Sequence, residues 1–182
     1  HGEGSAVISV LTADYGRHAG LVRGGASSKM RGIMQPGNRV RVSWRARLSE
    51  QLGQMQIELI QSVPALLLDS PLRLSGVASM CALLDGALPE REAQPGLIEG
   101  SAALLDMIVL DDDNVGWVEG YVRWELGLLA AVGYRLDLAR CVASGQTSDL
   151  AFVSPKSGGA VARHQAGSFA SRMLALPMFL GG

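Results

Sequence analysis

Two changes along the chain predict an α+β protein of two domains. Apolar residues recur with period two up to about residue 65 and with a helical period from Pro71 onward. Charge changes at the same place. Between Tyr15 and Ser49 there are eight Lys/Arg residues (Arg17, Arg23, Lys29, Arg31, Arg39, Arg41, Arg45 and Arg47) and no Asp or Glu, whereas residues 66–182 hold eight basic and thirteen acidic side chains, net −5. The overall charge of −1 therefore averages two unlike halves. At 182 residues the chain can bury a real core.

The first half reads as strands. Ser5–Thr12 is β-branched and apolar, Asp14-Tyr15-Gly16 signals a turn, and His18–Arg23 completes a predicted hairpin. Gly24–Gly32, rich in Gly, Ser and positive charge, is expected to be a flexible loop, and Pro36-Gly37-Asn38 a second turn. In Arg39–Arg47, Val40, Val42, Trp44 and Ala46 alternate with Arg39, Arg41, Ser43, Arg45 and Arg47, which gives a strand one apolar face and one arginine face. Gln54–Ile60 repeats the alternation, with Met55, Ile57 and Leu59 on one side. Short strands at this spacing suggest a small antiparallel sheet or barrel over residues 1–65.

The second half, 71–182, reads as an acidic helical domain joined through Val63–Pro71. Leu72–Leu88 carries apolar residues at Leu74, Val77, Ala78, Cys81 and Leu84, with Pro71 at a first helical position. Gly96–Leu110 and Val115–Val132 are predicted as further helices on either side of Asp111–Asn114. Residues 141–163 are Gly/Ser-rich with strand-like pieces at Leu150–Val153 and Ala160–Ala162, and Ser168–Phe179 reads as the start of another helix.

The chemistry these residues suggest is binding. Arginine stays charged and pairs bidentately with phosphate, so an arginine-faced strand in an acid-free stretch suits a polyanion. The competing reading is an edge strand charged against aggregation. Tyr15 and Trp44 are possible stacking residues, although Trp44 shares the apolar face with Val40 and Val42. Asp111-Asp112-Asp113 reads as a solvated inter-helix loop, Cys81 as a core residue, and His1, His18 and His164 are scattered. No phosphate-cradling Gly-x-x-x-x-Gly-Lys is present. No apolar run approaches the roughly 20 residues that span a bilayer. Two cysteines make no disulfide framework and fit a reducing, cytoplasmic setting. No catalytic residues and no cofactor are expected.

Three blocks then carry a family resemblance. Gly16-Arg17, Leu21-Val22-Arg23-Gly24-Gly25-x-Ser27-x-Lys29-x-Arg31-Gly32 and Gln35-Pro36 form the first. The second is Tyr121-Val122-Arg123-Trp124-Glu125-Leu126-x-Leu128-Leu129, then Gly133-Tyr134-x-Leu136-Asp137-Leu138 and Cys141; the third is Val153-Ser154-Pro155-x-Ser157-Gly158-Gly159-Ala160-Val161. In this order they resemble the RecO family of bacterial recombination mediators. The resemblance implies an N-terminal OB-fold β-barrel over 1–65 and a C-terminal helical domain over 71–182. It also implies binding and annealing of single- and double-stranded DNA, association with RecR, recognition of the C-terminal tail of single-stranded DNA-binding protein, and help in loading RecA. The cell location implied is cytoplasmic and nucleoid-associated.

The Arg23–Arg31 loop and the arginine strand fall where the family's DNA-binding surface would be, so DNA is expected on Arg17, Arg23, Lys29, Arg31, Arg39, Arg41, Arg45 and Arg47. The tail pocket is expected, by chemistry, beside Arg123 and Trp124, with inward packing of Trp124 and a solvated Arg123 as the alternative. Some relatives carry a four-cysteine zinc site beginning where Cys141 stands; here Ser144 occupies the second position, so 141–163 is expected to be a metal-free, zinc-ribbon-like remnant. A first strand before His1 and further helices after Gly182 are also implied. A different class stays open: an adaptor whose basic sheet docks an acidic protein.

Overall fold

The computed structural model describes residues 4–48, 50–111 and 116–182. They form two compact units, 1–118 and 119–182. Compactness therefore divides the chain later than the change of period at 63–71 does.

The first unit contains one four-stranded sheet in the order β1-β2-β4-β3. β1 (Ala6–Thr12) and β2 (Gly16–Val22) form an antiparallel hairpin in register from Ala6–Val22 to Thr12–Gly16. β3 (Arg39–Arg45) pairs antiparallel with β4 (Gln54–Gln61), while β2 and β4 meet in parallel at the single rung Leu21–Gln54. The sheet is open: β1 and β3 are its two edges, with a cleft of about 800 Å³ between them, floored by Val40, Val42, Met80 and Leu105. The closed barrel that the resemblance implies is thus not formed among the described residues, because no rung joins β1 to β3.

Between the two hairpins lies α1 (Ser28–Ile33). The glycine- and serine-rich stretch expected to be a flexible loop is a short helix here. Ser27 has extended backbone and its Oγ accepts from the Met30 amide at 3.3 Å, satisfying one of the donors a helix start leaves open. Pro36-Gly37-Asn38 turns as expected, and Asn38 Nδ2 donates to the carbonyls of Gly32 and Ile33 at 2.9 Å.

Val63–Leu66 forms a one-turn α2 within the expected join, which Val63 and Leu67 anchor in the core while Leu66 and Leu68 stay exposed. α3 (Pro71–Ala87) and α4 (Pro95–Leu110) follow, close to the predicted bounds. α3 buries Val77, Met80 and Leu84; Ala78, expected inside, is exposed and Met80 takes its place. α4 buries Leu97, Ser101, Leu104 and Ile108, and Ser101 Oγ donates to Leu97 O. Both helices belong to the same compact unit as the sheet.

Arg73 on α3 terminates α4. Its Nη1 donates to Ile108 O at 3.3 Å and to Asp111 O at 3.0 Å, and its Nη2 to Ser70 Oγ at 2.7 Å. The carbonyls at a helix end have no partner within the helix, and a cation there also offsets the negative end of its dipole. Gly76 on α3 makes room for Trp117, at the start of α5 (Gly116–Ala131): a Cβ at Gly76 would lie 2.8 Å from the Trp117 ring. Of the expected acidic loop, Asp112, Asp113 and Asn114 lie outside the described residues, as does Val115.

The second unit holds a small sheet, β5-β7-β6-β8, made of β5 (Asp137–Cys141), β6 (Leu150–Val153), β7 (Gly159–Ala162) and β8 (Leu174–Ala175). Its core is Cys141, Leu150, Val153, Ala160, Val161, Ala162, Ala166 and Leu176. Cys141 is buried and its sulfur accepts from the Ala162 amide at 3.3 Å. Burial pushes its thiol up, but hydrogen bonds from Ser144 and from the backbone of Ala162, Ser144 and Ala143 outweigh that and bring it to about 7. Among the described residues no three His, Cys, Asp or Glu gather as a metal set, and one thiolate does not fit a four-ligand structural zinc. After α6 (Arg163–Ala166), Gly167–Arg172 is a 3₁₀ helix, followed by β8 and a 3₁₀ turn at Met178–Leu180. The α-helix predicted over Ser168–Phe179 does not form, because residues 174–175 pair with β6 instead. No described helix is long and apolar enough to cross a membrane.

Two outcomes are expected. Arg73→Ala leaves the α4 carbonyls and Ser70 without their charged donor and lowers unfolding stability by about 1.5–3 kcal/mol in urea titrations, with Arg73→Lys recovering only part. His18 on β2 has both ring nitrogens buried with no hydrogen-bond partner among the described residues. Burial, then the nearby Arg91 charge, hold its pKa below the ordinary 6.5, against a smaller upward pull from Glu90. The unfolded chain therefore binds the proton more readily, and stability falls as pH drops below about 6.5. His18→Phe flattens that dependence when unfolding is compared at pH 5.5 and 7.5.

Candidate nucleic-acid interface

The alternation read in β3 determines where its charges go. Val40, Val42 and Trp44 lie half-buried toward the core, and Arg41, Ser43 and Arg45 are exposed on the other face. Across the pairing, Arg41 faces Glu58, Ser43 faces Gln56 and Arg45 faces Gln54. The outer face of this hairpin is thus a three-rung polar surface.

Trp44 anchors the inner side. Its Nε1 donates to Leu52 O at 2.9 Å, the His18 ring meets it edge-on with centroids 4.6 Å apart, and the Arg91 guanidinium lies 5.8 Å from its ring centre. Gly53, at φ +66°, turns the chain against it; a Cβ there would sit 2.5 Å from Trp44 Nε1. Trp44 is therefore a packing residue. Tyr15 lies exposed at the tip of the first hairpin, away from the β3–β4 face.

The eight basic residues divide into three groups. Arg17 and Arg39 are held by the fold. Arg17, with only 19% of its side chain exposed, donates from Nε to Leu88 O at 2.8 Å and pairs with Asp85 at 3.1 Å and Glu90 at 3.7 Å. Arg39 reaches α4, pairing with Asp106 at 2.6 Å and donating to Ala102 O at 3.2 Å. Arg41 pairs with Glu58 at 2.8 Å, but with 71% and 69% of the two side chains exposed this contact is worth little.

Arg23, Lys29, Arg31, Arg45 and Arg47 are exposed and have no ion pair among the described residues. The stretch contains no acid, yet it is partly neutralised: Asp85, Glu90, Asp106 and Glu58 reach it from elsewhere in the chain. Arg23, Met30 and Arg45 border one pocket, so the end of β2, α1 and the end of β3 converge there; Lys29 and Arg31 flank Met30 in α1.

Sequence reasoning placed Ser43 on the arginine face but missed Gln54 and Gln56, which share the surface of Arg45. The alternation of Gln54–Ile60 held the signal for the glutamines, since inward Met55 and Ile57 force Gln54 and Gln56 outward.

In the second unit, Trp124 is buried, while Arg123 donates to Phe179 O at 2.8 Å, lies 5.2 Å from the Phe179 ring centre and approaches Glu119 at 3.5 Å. Arg123 and Trp124 thus lie on one helix, with Arg123 facing the C-terminal segment.

Comparison with known proteins gives this geometry a family. Residues 1–63 match the family model described as Recombination protein O N terminal, and residues 68–182 the one described as Recombination protein O C terminal. The chain is 48% identical over 184 residues to a DNA repair protein RecO of Rhodospirillum centenum, covering 100% of this chain and 72% of that relative. It is 50% identical over 182 residues to the DNA repair protein RecO of Cereibacter sphaeroides, covering 100% and 74%. A Ruegeria relative of the same name is 48% identical over 182 residues, with the same coverage of 100% and 74%. With both halves matched in order and near-50% identity throughout, the chain belongs to the RecO family of DNA repair proteins.

Proposed function

We propose that this chain is a non-enzymatic repair mediator that binds single-stranded DNA on the outer face of β3–β4 and along α1. One observation carries the reading: five exposed basic side chains, Arg23, Lys29, Arg31, Arg45 and Arg47, lack an ion pair among the described residues, and two of them, Arg23 and Arg45, border one pocket with Met30 of α1. Guanidinium groups without protein partners are ready donors to phosphate, and little protein–protein pairing must be broken to engage them. Arg41 joins them once phosphate displaces exposed Glu58. Arg17 and Arg39 act by bracing β2 and β3 against α3 and α4. The open sheet is read as the family's OB-fold, whose DNA surface would be this face.

In this reading the bound strands are annealed with their complements, duplex DNA is also bound, and the chain works with RecR to load RecA on DNA freed from single-stranded DNA-binding protein. The setting is the bacterial cytoplasm, at the nucleoid. The second unit supplies a docking platform. An acidic, apolar protein tail would be recognised near Arg123 by competing with Phe179 O and Glu119 for the guanidinium, over the indole edge of Trp124.

Salt-dependent binding of a mixed-sequence oligonucleotide tests the DNA surface. Four or five phosphate contacts give a log–log slope of about −3 for single strands. Arg23→Ala/Arg45→Ala is expected to weaken binding at least tenfold and to flatten the slope by about 1.4, two contacts' share, while leaving thermal unfolding unchanged. Undiminished DNA binding in that double variant contradicts the assignment. Loss of an acidic protein partner instead, with DNA unaffected, favours the adaptor reading.

A further inference from the structure

The surface just described contains a pocket of a size and chemistry that phosphate binding does not require. β2 and β4 share one rung, Leu21–Gln54; β2 then ends at Val22, whereas β4 runs on to Gln61 with α1 packed against it. The divergence opens a pocket of about 430 Å³. Met30 supplies an apolar side chain at its rim, Ser43, Gln54 and Gln56 its polar lining, and Arg23 and Arg45 its two cations, above the inward-turned Val22, Met55 and Ile57. Val22 and Met55 are fully buried beneath it.

A sugar–phosphate backbone needs only the two guanidinium groups. The remaining features suit a nucleobase. The half-exposed Met30 thioether offers a polarisable surface to an aromatic ring. An amide side chain presents both donors and an acceptor, so Gln54 and Gln56 can meet the edge of any base by rotating. Pockets for small organic ligands have volumes of about 300–1,000 Å³, and this one falls at the lower end, room for one nucleotide. A base stacked and paired in duplex cannot enter.

We infer that the pocket between β4 and α1 takes a single unpaired nucleobase of bound DNA, with Arg23 and Arg45 gripping the phosphates beside it. The inference rests on the DNA-binding reading above and adds to it a physical basis for preferring single strands, tolerant of sequence.

The test uses an oligonucleotide with 2-aminopurine at its central position, whose emission rises when the base leaves its stacked neighbours, and a duplex of the same length. The intact chain should raise the single-strand emission at least twofold on binding. Ser43→Ile, an exposed change that favours a strand and intrudes on the pocket, should abolish the rise and cut the ratio of single-strand to duplex affinity at least fivefold. Met30→Ala, which removes the thioether, should do the same in part; circular dichroism verifies that both variants fold. DNA binding with silent 2-aminopurine, or an unchanged ratio in folded Ser43→Ile, overturns the pocket and leaves the phosphate surface standing. No binding to either DNA overturns both.

Discussion

The seven antiparallel rungs between β3 and β4 fix the positions of everything that follows. Period-two geometry leaves no freedom once Val40, Val42 and Trp44 turn toward the core: Arg41, Ser43 and Arg45 must face outward, and β4 must present Glu58, Gln56 and Gln54 opposite them. A slip of one residue would bury the arginines and expose Trp44. Trp44 secures the register from the inside through its bond to Leu52 O, the His18 edge and the approach of Gly53. The polar outer face is thus a by-product of core packing, which is why it needs few contacts of its own to be placed.

Charge is then sorted by what each arginine can reach. Arg17 and Arg39 sit where β2 and β3 run past helices, and the carboxylates of Asp85, Glu90 and Asp106 lie within reach. Their long stems pack, their heads cap backbone carbonyls, and they contribute to stability through charge-assisted hydrogen bonds. At the other end of the hairpin Arg23, Arg45 and Arg47 form no ion pair among the described residues. The same residue type is therefore braced in one place and left without an ion pair in another, and only long-range contacts distinguish the two.

That distinction limits what the sequence discloses. The positions of β1–β4, β6 and β7, the α3–α5 bounds and the arginine alternation follow from local periodicity and were legible, whereas β5 and β8 were not. The family was legible too, from Gly24-Gly25, the Trp124 block and the Ser154–Val161 block. The partners of Arg17 and Arg39 were not: Asp85 and Asp106 stand 68 and 67 residues away along the chain. Helix α1 was hidden by glycine and serine, whose low helix propensity outweighed the cap that Ser27 provides. At Ser168–Phe179 apolar spacing suggested a helix, but pairing of Leu174 and Ala175 with β6 overrode it. Local pattern left sheet and barrel both open, since closure depends on an edge-to-edge meeting of β1 and β3 that no local pattern encodes.

The central claim is that unpaired arginines at one end of the β3–β4 hairpin, and not the braced ones, carry the ligand. Arginine side-chain Nε–H resonances followed by NMR during titration with a short single-stranded oligonucleotide report on this directly. The account predicts large shifts and slowed solvent exchange for Arg23, Arg31, Arg45 and Arg47, with Arg17 and Arg73 unmoved. Shifts confined to Arg135, Arg140 and Arg163, with Arg23 and Arg45 unchanged at saturation, would contradict it.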